Sequence, residues 1–372
     1  MSTVRWSRAV LLATIPASTL AAQQTAPRSA VAPSERATTS CSGQRIDEIV
    51  VYAEAPSVAN LRRVPVLAHV ARAIHATTNT DVIRRFLLLR PGDDCVELRR
   101  AESERILRAQ PFIADADIFV VPNDRGGVDL EVRTSDEGSI VLGGSARARS
   151  PVVTHVLLGN SNIGGQGIYA SVAWRAGDRI RDGFSARVID HQFLGQPVTM
   201  LAEGERASLG GSWRLEGSHA FFTDLQRVAW RAQTGMSRRF VELRAPDGSR
   251  PTIDLRRAYY EGGGIVRVGP PGRLTLIGGS ITGTDESAND RLFLVDANVL
   301  RETALAPVTY PAHRVGRFNA LLGVRDIRFV RRDSLDALTA AQDVPVGFQL
   351  GTTLGRSLRV LGSREDDLFV SG

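Results

Sequence analysis

From residue 138 to residue 372 the chain shows no helical period, and glycine, serine or aspartate turn signals recur roughly every dozen positions, a pattern that only regular strands satisfy. Successive side chains of a strand point to opposite faces. Ile168, Ala170, Val172 and Trp174 therefore share one face, and Tyr169, Ser171, Ala173 and Arg175 the other. The same division sets Leu209, Gly211, Trp213 and Leu215 against Gly210, Ser212, Arg214 and Glu216. It also sets Val228, Trp230 and Ala232 against Arg227, Ala229, Arg231 and Gln233. One face is mostly apolar and the other mixed. A lipid face opposite a polar lumen has this signature. So does a soluble sandwich or barrel with its apolar face inside, and alternation alone does not separate the two.

Beyond the amino terminus no apolar run approaches the roughly 20 residues of a spanning helix. Any membrane crossing must then be made by strands, because hydrocarbon offers the backbone no hydrogen-bond partner. A mean hydropathy of −0.08 fits, since a barrel hides its apolar residues in alternation. The amino terminus itself has the three-part layout of a secretory signal peptide. Arg5 and Arg8 precede the apolar residues 9–15, and Ala17, Ser18, Thr19, Ala21 and Ala22 close it. Residues 1–22 are expected to be cleaved after Ala21 or Ala22, with export of the rest. The formal net charge of +6 raises nucleic acid as a partner, but the arginines are spread over the chain rather than gathered in a patch with aromatics, so no nucleic acid is expected.

Residues 23–44, rich in Ala, Ser, Thr and Pro, read as a flexible lead-in, with order beginning near Arg45. A short strand over residues 46–51 follows. Residues 64–76 and 80–89 place apolar residues at helical spacing ahead of Pro91 and Gly92, and residues 97–109 again read as helix, with Leu98, Ile106 and Leu107 on one side and Pro111 beyond its end. A hairpin has arms at 113–121 and 128–133, joined by Asn123, Asp124, Arg125, Gly126 and Gly127. Cys41 and Cys95 make one disulfide possible in an oxidising compartment, and two free thiols equally so. The six histidines, His69, His75, His155, His191, His219 and His313, are scattered without ligand spacing, and no metal or other cofactor is expected.

The order strand, helix, helix, strand, strand over residues 45–136 resembles a polypeptide-transport-associated (POTRA) domain. The resemblance is carried by Thr80, Asp81, Val82, Ile83, Arg84, Arg85 and Phe86, then Arg90, Pro91, Gly92 and Asp93. Glu102, Arg105, Ile106 and Leu107, then Pro111, Phe112, Ile113, Ala114, Asp115 and Ala116, continue it, and Val128, Asp129, Leu130, Glu131 and Val132 close the hairpin. The glycine that usually follows the first strand is missing, and the spacer 53–63 is long. Residues 137–372 are similar to the barrel of the BamA/TamA-type outer-membrane assembly family, the bacterial surface antigens. The similarity rests on residues 159–167 (GNSNIGGQG), 190–195 (DHQFLG) and 219–230 (HAFFTDLQRVAW), and on 328–332, 335–338 and 343–347 late in the chain.

The resemblance implies an α+β POTRA-like domain followed by an all-β antiparallel transmembrane barrel. Barrels of that family have on the order of sixteen strands, whereas residues 138–372 supply only about twelve with their loops. The family's Val-Arg-Gly-aromatic motif is absent, and the chain stops at Phe369, Val370, Ser371 and Gly372 without a terminal aromatic. The barrel thus reads as incomplete, a truncated product or fragment, with a smaller genuine barrel as the alternative.

No nucleophile elbow, zinc-protease helix or phosphate loop occurs, and adjacent carboxylates such as Asp93 with Asp94 read as solvated turns. The run Gly262, Gly263, Gly264 reads as a strand bulge or turn. No catalytic residue is assigned, and an enzyme is not expected. The resemblance instead implies outer-membrane protein insertion, or polypeptide or lipid translocation, by a protein of the outer membrane with its N-terminal domain in the periplasm. Unfolded outer-membrane polypeptides, periplasmic partner proteins and outer-membrane lipid are the implied partners. Clients would add to an exposed strand edge, with Ile46, Val50 and Tyr52 on one candidate strand and Ile113 and Val120 on the other. A barrel with a poorly paired first strand, residues 139–147, could open laterally. The rival readings are a passive outer-membrane channel or structural barrel, told apart by steady ion conduction without client binding, and a soluble periplasmic binding protein, told apart by fractionation.

Overall fold

A computed structural model of the chain describes residues 38–55, 76–148, 153–176, 183–245, 248–296, 299–303, 309–333, 341–364 and 366–372. The expected signal peptide, most of the lead-in and the helix expected over residues 64–76, apart from its last residue, lie outside the described residues. Those described from Thr38 onward belong to one compact unit.

The small domain is built on β1 (Ser42–Glu54), α1 (Thr80–Arg85), β2 (Asp94–Val96), α2 (Glu97–Arg108), β3 (Ile113–Pro122) and β4 (Val128–Asp136). Its four strands lie in the order β2-β1-β4-β3, with β1 parallel to β4 and the other pairs antiparallel. Strand order starts at Ser42, inside the segment expected to be flexible, because Cys41 is bonded to Cys95 across a Cα–Cα distance of 4.9 Å and Ser42 pairs with Val96. Ile46, Ile83, Leu107, Phe112, Leu130 and Val132 are fully or nearly fully buried and form the core with their neighbours.

Helix α1 is shorter than its periodicity suggests. Asn79 caps its start by accepting from the Asp81 amide at 3.0 Å, and Arg84 and Arg85 complement the last turn. It ends at Arg85 in a tightened last turn: Phe86 caps it in the right-handed helical conformation, the Phe86 and Leu87 amides donate to the Ile83 and Arg84 carbonyls, and Leu87 and Leu89 then enter the core. The β3–β4 turn is organised by Asn123. Its Oδ1 accepts from the amides of Arg125 and Gly127, both at 3.0 Å, and its Nδ2 donates to Asp47 and Asp129.

The remaining strands, β5 (Ile140–Ala146), β6 (Val153–Asn160), β7 (Ile168–Arg175), β8 (Gly183–Asp190), β9 (Thr199–Ala207), β10 (Gly211–His219), β11 (Val228–Glu242), β12 (Thr252–Val268), β13 (Arg273–Asp296), β14 (Val299–Glu302), β15 (His313–Asp333), β16 (Ala341–Ser357) and β17 (Leu368–Ser371), form one antiparallel meander. Each strand pairs with its neighbours in sequence, except that β14 folds back on β13 and leaves β13 to pair with β15. Among the described residues β5 and β17 do not pair with each other, so this barrel-type meander has two edges. No helix among the described residues is long and apolar enough to cross a membrane, which leaves strands unrestricted.

The register joins the alternating residues into continuous faces. Leu142, Leu158, Val172, Ala186, Gly204, Trp213 and Met236 are cross-strand partners in one row, and Val228, Val266, Ile277 and Leu322 in another. Large side chains on this face stand in the open, Leu142 at 68% and Val172 at 59% exposure. The opposite face carries paired polar groups. Arg187 and Arg214 both meet Glu203, at 2.8 and 3.0 Å, Arg231 meets Glu216 at 2.8 Å, and Asn319 donates to Ser280 at 3.1 Å. Gly262, Gly263 and Gly264 are neither bulge nor turn but lie in unbroken register between β11 and β13. A Cβ on Gly263 would stand 2.5 Å from Ser280 Cβ, which is why a side chain is excluded there.

Candidate functional site at the edge of the small sheet

The sequence offered two candidate edges, and the sheet order separates them. β1 is flanked by β2 and β4 at its start, where Ile46 donates to Asp93 and accepts from Gly92, and it pairs with β4 through Val50 and Tyr52 to Glu54. β3, with Ile113 and Val120, is a terminal strand. Ile113, Ala116, Ile118 and Val120 are buried beneath α2.

The outer side of β3 is nonetheless hydrogen-bonded. Arg108 Nη1 donates to the Ala116 carbonyl at 2.9 Å, Arg100 Nη1 donates to the Ile118 carbonyl at 2.9 Å, and Glu104 Oε1 accepts from the Ile118 amide at 2.8 Å. The Thr39 amide donates to the Val120 carbonyl at 2.9 Å, so a residue of the lead-in sits on the same edge. Arg100, Glu104 and Arg108 stand four residues apart on one face of α2. Each helical step of four residues advances about 6 Å, close to the roughly 6.8 Å between alternate residues of a strand. Three charged side chains can therefore reach successive outward groups of β3 as a neighbouring strand would.

Arg100 is further held by Glu97, whose carboxyl is kept below its usual range, chiefly by that hydrogen bond and against the cost of burial. Arg108 has a second partner. Its Nε and Nη2 donate to the two carboxylate oxygens of Asp343, at the start of β16, at 2.8 and 3.1 Å. One planar guanidinium thus joins the edge of the small sheet to the large sheet.

Around this point the small domain packs on the strand ends and turns at one end of the meander. Arg331 of β15 contacts Asp115 and Asp117 of β3 at 3.0 and 2.9 Å. Glu102 accepts from Arg105 at 2.7 Å and from the Thr223 hydroxyl, while the Arg105 guanidinium lies 4.2 Å from the centre of the Phe329 ring. Burial raises the Glu102 carboxyl, but the hydrogen bonds from Arg105 and Thr223 and the Arg105 charge outweigh it and hold the group below its usual range. Deeper in, Asp136 accepts from both the amide and the hydroxyl of Thr78, and Asn162 Nδ2 donates to the same hydroxyl at 2.8 Å. Asn79 donates to the Gly165 carbonyl, and Gln192 donates to the Val82 carbonyl at 2.9 Å. His191 packs its ring 5.8 Å from that of Phe112, and burial pushes its imidazole down, opposed by Asp190.

The histidines read as scattered therefore include two at this junction, His191 and His219, the latter hydrogen-bonded to the Pro197 carbonyl. The edge-capping ladder is visible in the sequence only as arginine and glutamate at four-residue spacing, which ordinarily marks a solvated helix face. The direct signal for its role is the coincidence of that face with a terminal strand, which the sequence does not show. Among the described residues no group of three or more His, Cys, Asp or Glu could hold a metal ion.

No protein-family model and no curated protein matches the sequence. Among solved structures the chain is similar to BamA from Haemophilus ducreyi lacking POTRA domains 1–3, at 11% identity and a TM-score of 0.35, covering 85% of this chain and 48% of that one. It is also similar to CdiB from Escherichia coli, at 13% identity and a TM-score of 0.43, covering 87% and 46%. CdiB from Acinetobacter baumannii gives 10% identity and a TM-score of 0.38, covering 85% and 49%. The chain spans about half the length of each of these structures.

Proposed function

We propose that this chain is an outer-membrane component that inserts outer-membrane proteins or moves polypeptide or lipid across that membrane, with its POTRA-like small domain in the periplasm, and that it works by binding and templating strands rather than by catalysis. The observation that carries the membrane placement is the continuous apolar face of the meander, with Leu142, Val172, Trp213, Ile277 and Leu322 exposed while the opposite face pairs its charges internally. Soluble proteins rarely expose contiguous apolar patches beyond a few hundred Å². A bilayer covers such a face at no hydrogen-bonding cost along the interior strands, where the inter-strand ladder satisfies the backbone, and the β5 and β17 edges need a pairing partner in the membrane. The small domain at one end of the strands would then lie on one side of the bilayer, where unfolded outer-membrane polypeptides or periplasmic partner proteins reach it.

The test has two stages. Sucrose-gradient fractionation of expressing cells should place the chain in the outer membrane, with a band that shifts on boiling; freely soluble protein sinks the membrane assignment. Vesicles containing the purified chain should then accelerate folding of an added unfolded outer-membrane protein into a protease-resistant form. Failure there, with steady ion conductance in a planar bilayer, supports the second reading, a passive channel or structural barrel. The observation favouring that reading is the hydrogen-bonded β3 edge, which is not standing open to clients.

A further inference from the structure

The outward carbonyls of Ala116 and Ile118 and the Ile118 amide are served by side chains of α2, not by another strand. These contacts are polar and partly accessible: the Arg100 and Glu104 side chains keep 20% and 14% of their exposure, while the apolar anchors of the helix, Ile106 and Leu107, are buried elsewhere in the core. Arg100 retains Glu97 as a partner if it leaves the edge. The cover can therefore be withdrawn by side-chain rotation, without unfolding the helix. Arg108 cannot be withdrawn independently. Its guanidinium is rigid and planar, and the nitrogens not facing Ala116 are held bidentately by Asp343.

We propose that the Arg100–Glu104–Arg108 face of α2 is a displaceable pseudo-strand covering the β3 edge, and that an extended polypeptide segment adding to β3 displaces it and, through Arg108, releases Asp343 at the start of β16. This rests on the reading that the small domain receives polypeptide segments, and it names how access to that site is regulated. The occupant is an extended chain, because the groups uncovered would be the Ile118 amide and the Ala116 and Ile118 carbonyls at strand spacing, next to the Val120 carbonyl that Thr39 already holds through its backbone amide. Arrival of a segment on the small sheet would thus be reported to the large one by the loss of a single shared ion pair.

The experiment uses the full chain in detergent micelles and a labelled synthetic peptide of the β4 sequence, residues 128–136, which already pairs antiparallel with β3 from its inner side. A control peptide carries proline at the position of Leu130. Fluorescence anisotropy reads binding, and amide hydrogen exchange reads Ile118 and Val344. The Ile118 amide should be protected in the native chain. Glu104→Gln should raise peptide affinity at least fivefold and speed exchange at Ile118. Asp343→Ala, a second variant whose substitution lies outside the small domain and which serves should Glu104→Gln misfold, should raise affinity at least threefold. Bound peptide should speed exchange at Val344 in the native chain, and the proline peptide should do nothing. Equal affinity across native and variant chains, absence of peptide binding to any folded variant, or unchanged exchange at Val344 would each overturn the proposal. Client folding in vesicles is scored separately, so loss of that activity with these results intact removes the assembly reading and leaves the cover in place.

Discussion

Arg108 holds the Ala116 carbonyl and Asp343 with one guanidinium, and the residues around it show how few side chains fasten the small domain to the strand ends and turns. His191 is the member of that contact whose ordinary titration range lies near neutral pH and whose value is shifted. Burial beside Phe112 depresses its imidazole from the ordinary 6.5, so the neutral form is the one that fits. A depressed folded value means the unfolded chain takes the proton first. The contribution to stability is complete above the unfolded value and is lost as pH falls toward the folded one. Thermal melts from pH 8 to about 5 should show a loss of stability beginning near the unperturbed imidazole value, and His191→Gln should flatten that part of the profile. Gly165 is constrained by space as well as by conformation. Its φ is +71°, and an added Cβ would stand 2.2 Å from the Thr77 carbonyl oxygen, beside the Asn79 amide that it accepts. Gly165→Ala should cost at least about 1–3 kcal/mol and expose the small domain to limited proteolysis; a variant as protease-resistant as the native chain would disprove this account. Both residues stood inside motifs quoted for a family resemblance, yet their contacts reach back to residues near positions 77 and 112, which no local pattern reveals.

At the level of elements, the alternation of β7, β10 and β11 was legible because a strand has a period of two, and the register then assembled those residues into one face. The prediction belongs to that face. Leu322→Arg, in the row with Ile277, should destabilise the folded chain in vesicles by about 2–4 kcal/mol, whereas Gln233→Arg on the opposite face should change little, as read by urea titration. Equal effects would mean that both faces meet water. Segments with competing signals were less legible. The apolar spacing of residues 80–89 suited a helix, but the helix closes in a tight turn at Phe86, and Leu87 and Leu89 are buried beyond it. β2 was missed because three residues carry no period, and it forms where the Cys41–Cys95 bond brings Ser42 against Val96.

For the molecule as a whole, the disulfide closes a loop of 54 residues that contains β1 and α1. Paired Cys41→Ser and Cys95→Ser substitutions should lower the stability of the small domain by roughly 4 kcal/mol, measured by denaturant unfolding, with the large sheet retaining its strand signal in circular dichroism. Coupled loss of both would show that neither sheet stands without the other. Strand content, the division of the large sheet into an apolar and a polar face, the hairpin at Asn123 and the lack, beyond the amino terminus, of an apolar run long enough for a spanning helix were all determined by the sequence alone. Each follows from the period of two, local turn chemistry or run length, and these act between residues that are neighbours in the chain. Only the tertiary structure decided which strand ends the small sheet, that α2 covers it, and that Arg108, Glu102 and His191 meet Asp343, Thr223 and Phe112, partners far from them in the chain. Those outcomes depend on pairings across long loops, where hydrogen-bond geometry and packing choose among partners that the linear pattern leaves equivalent.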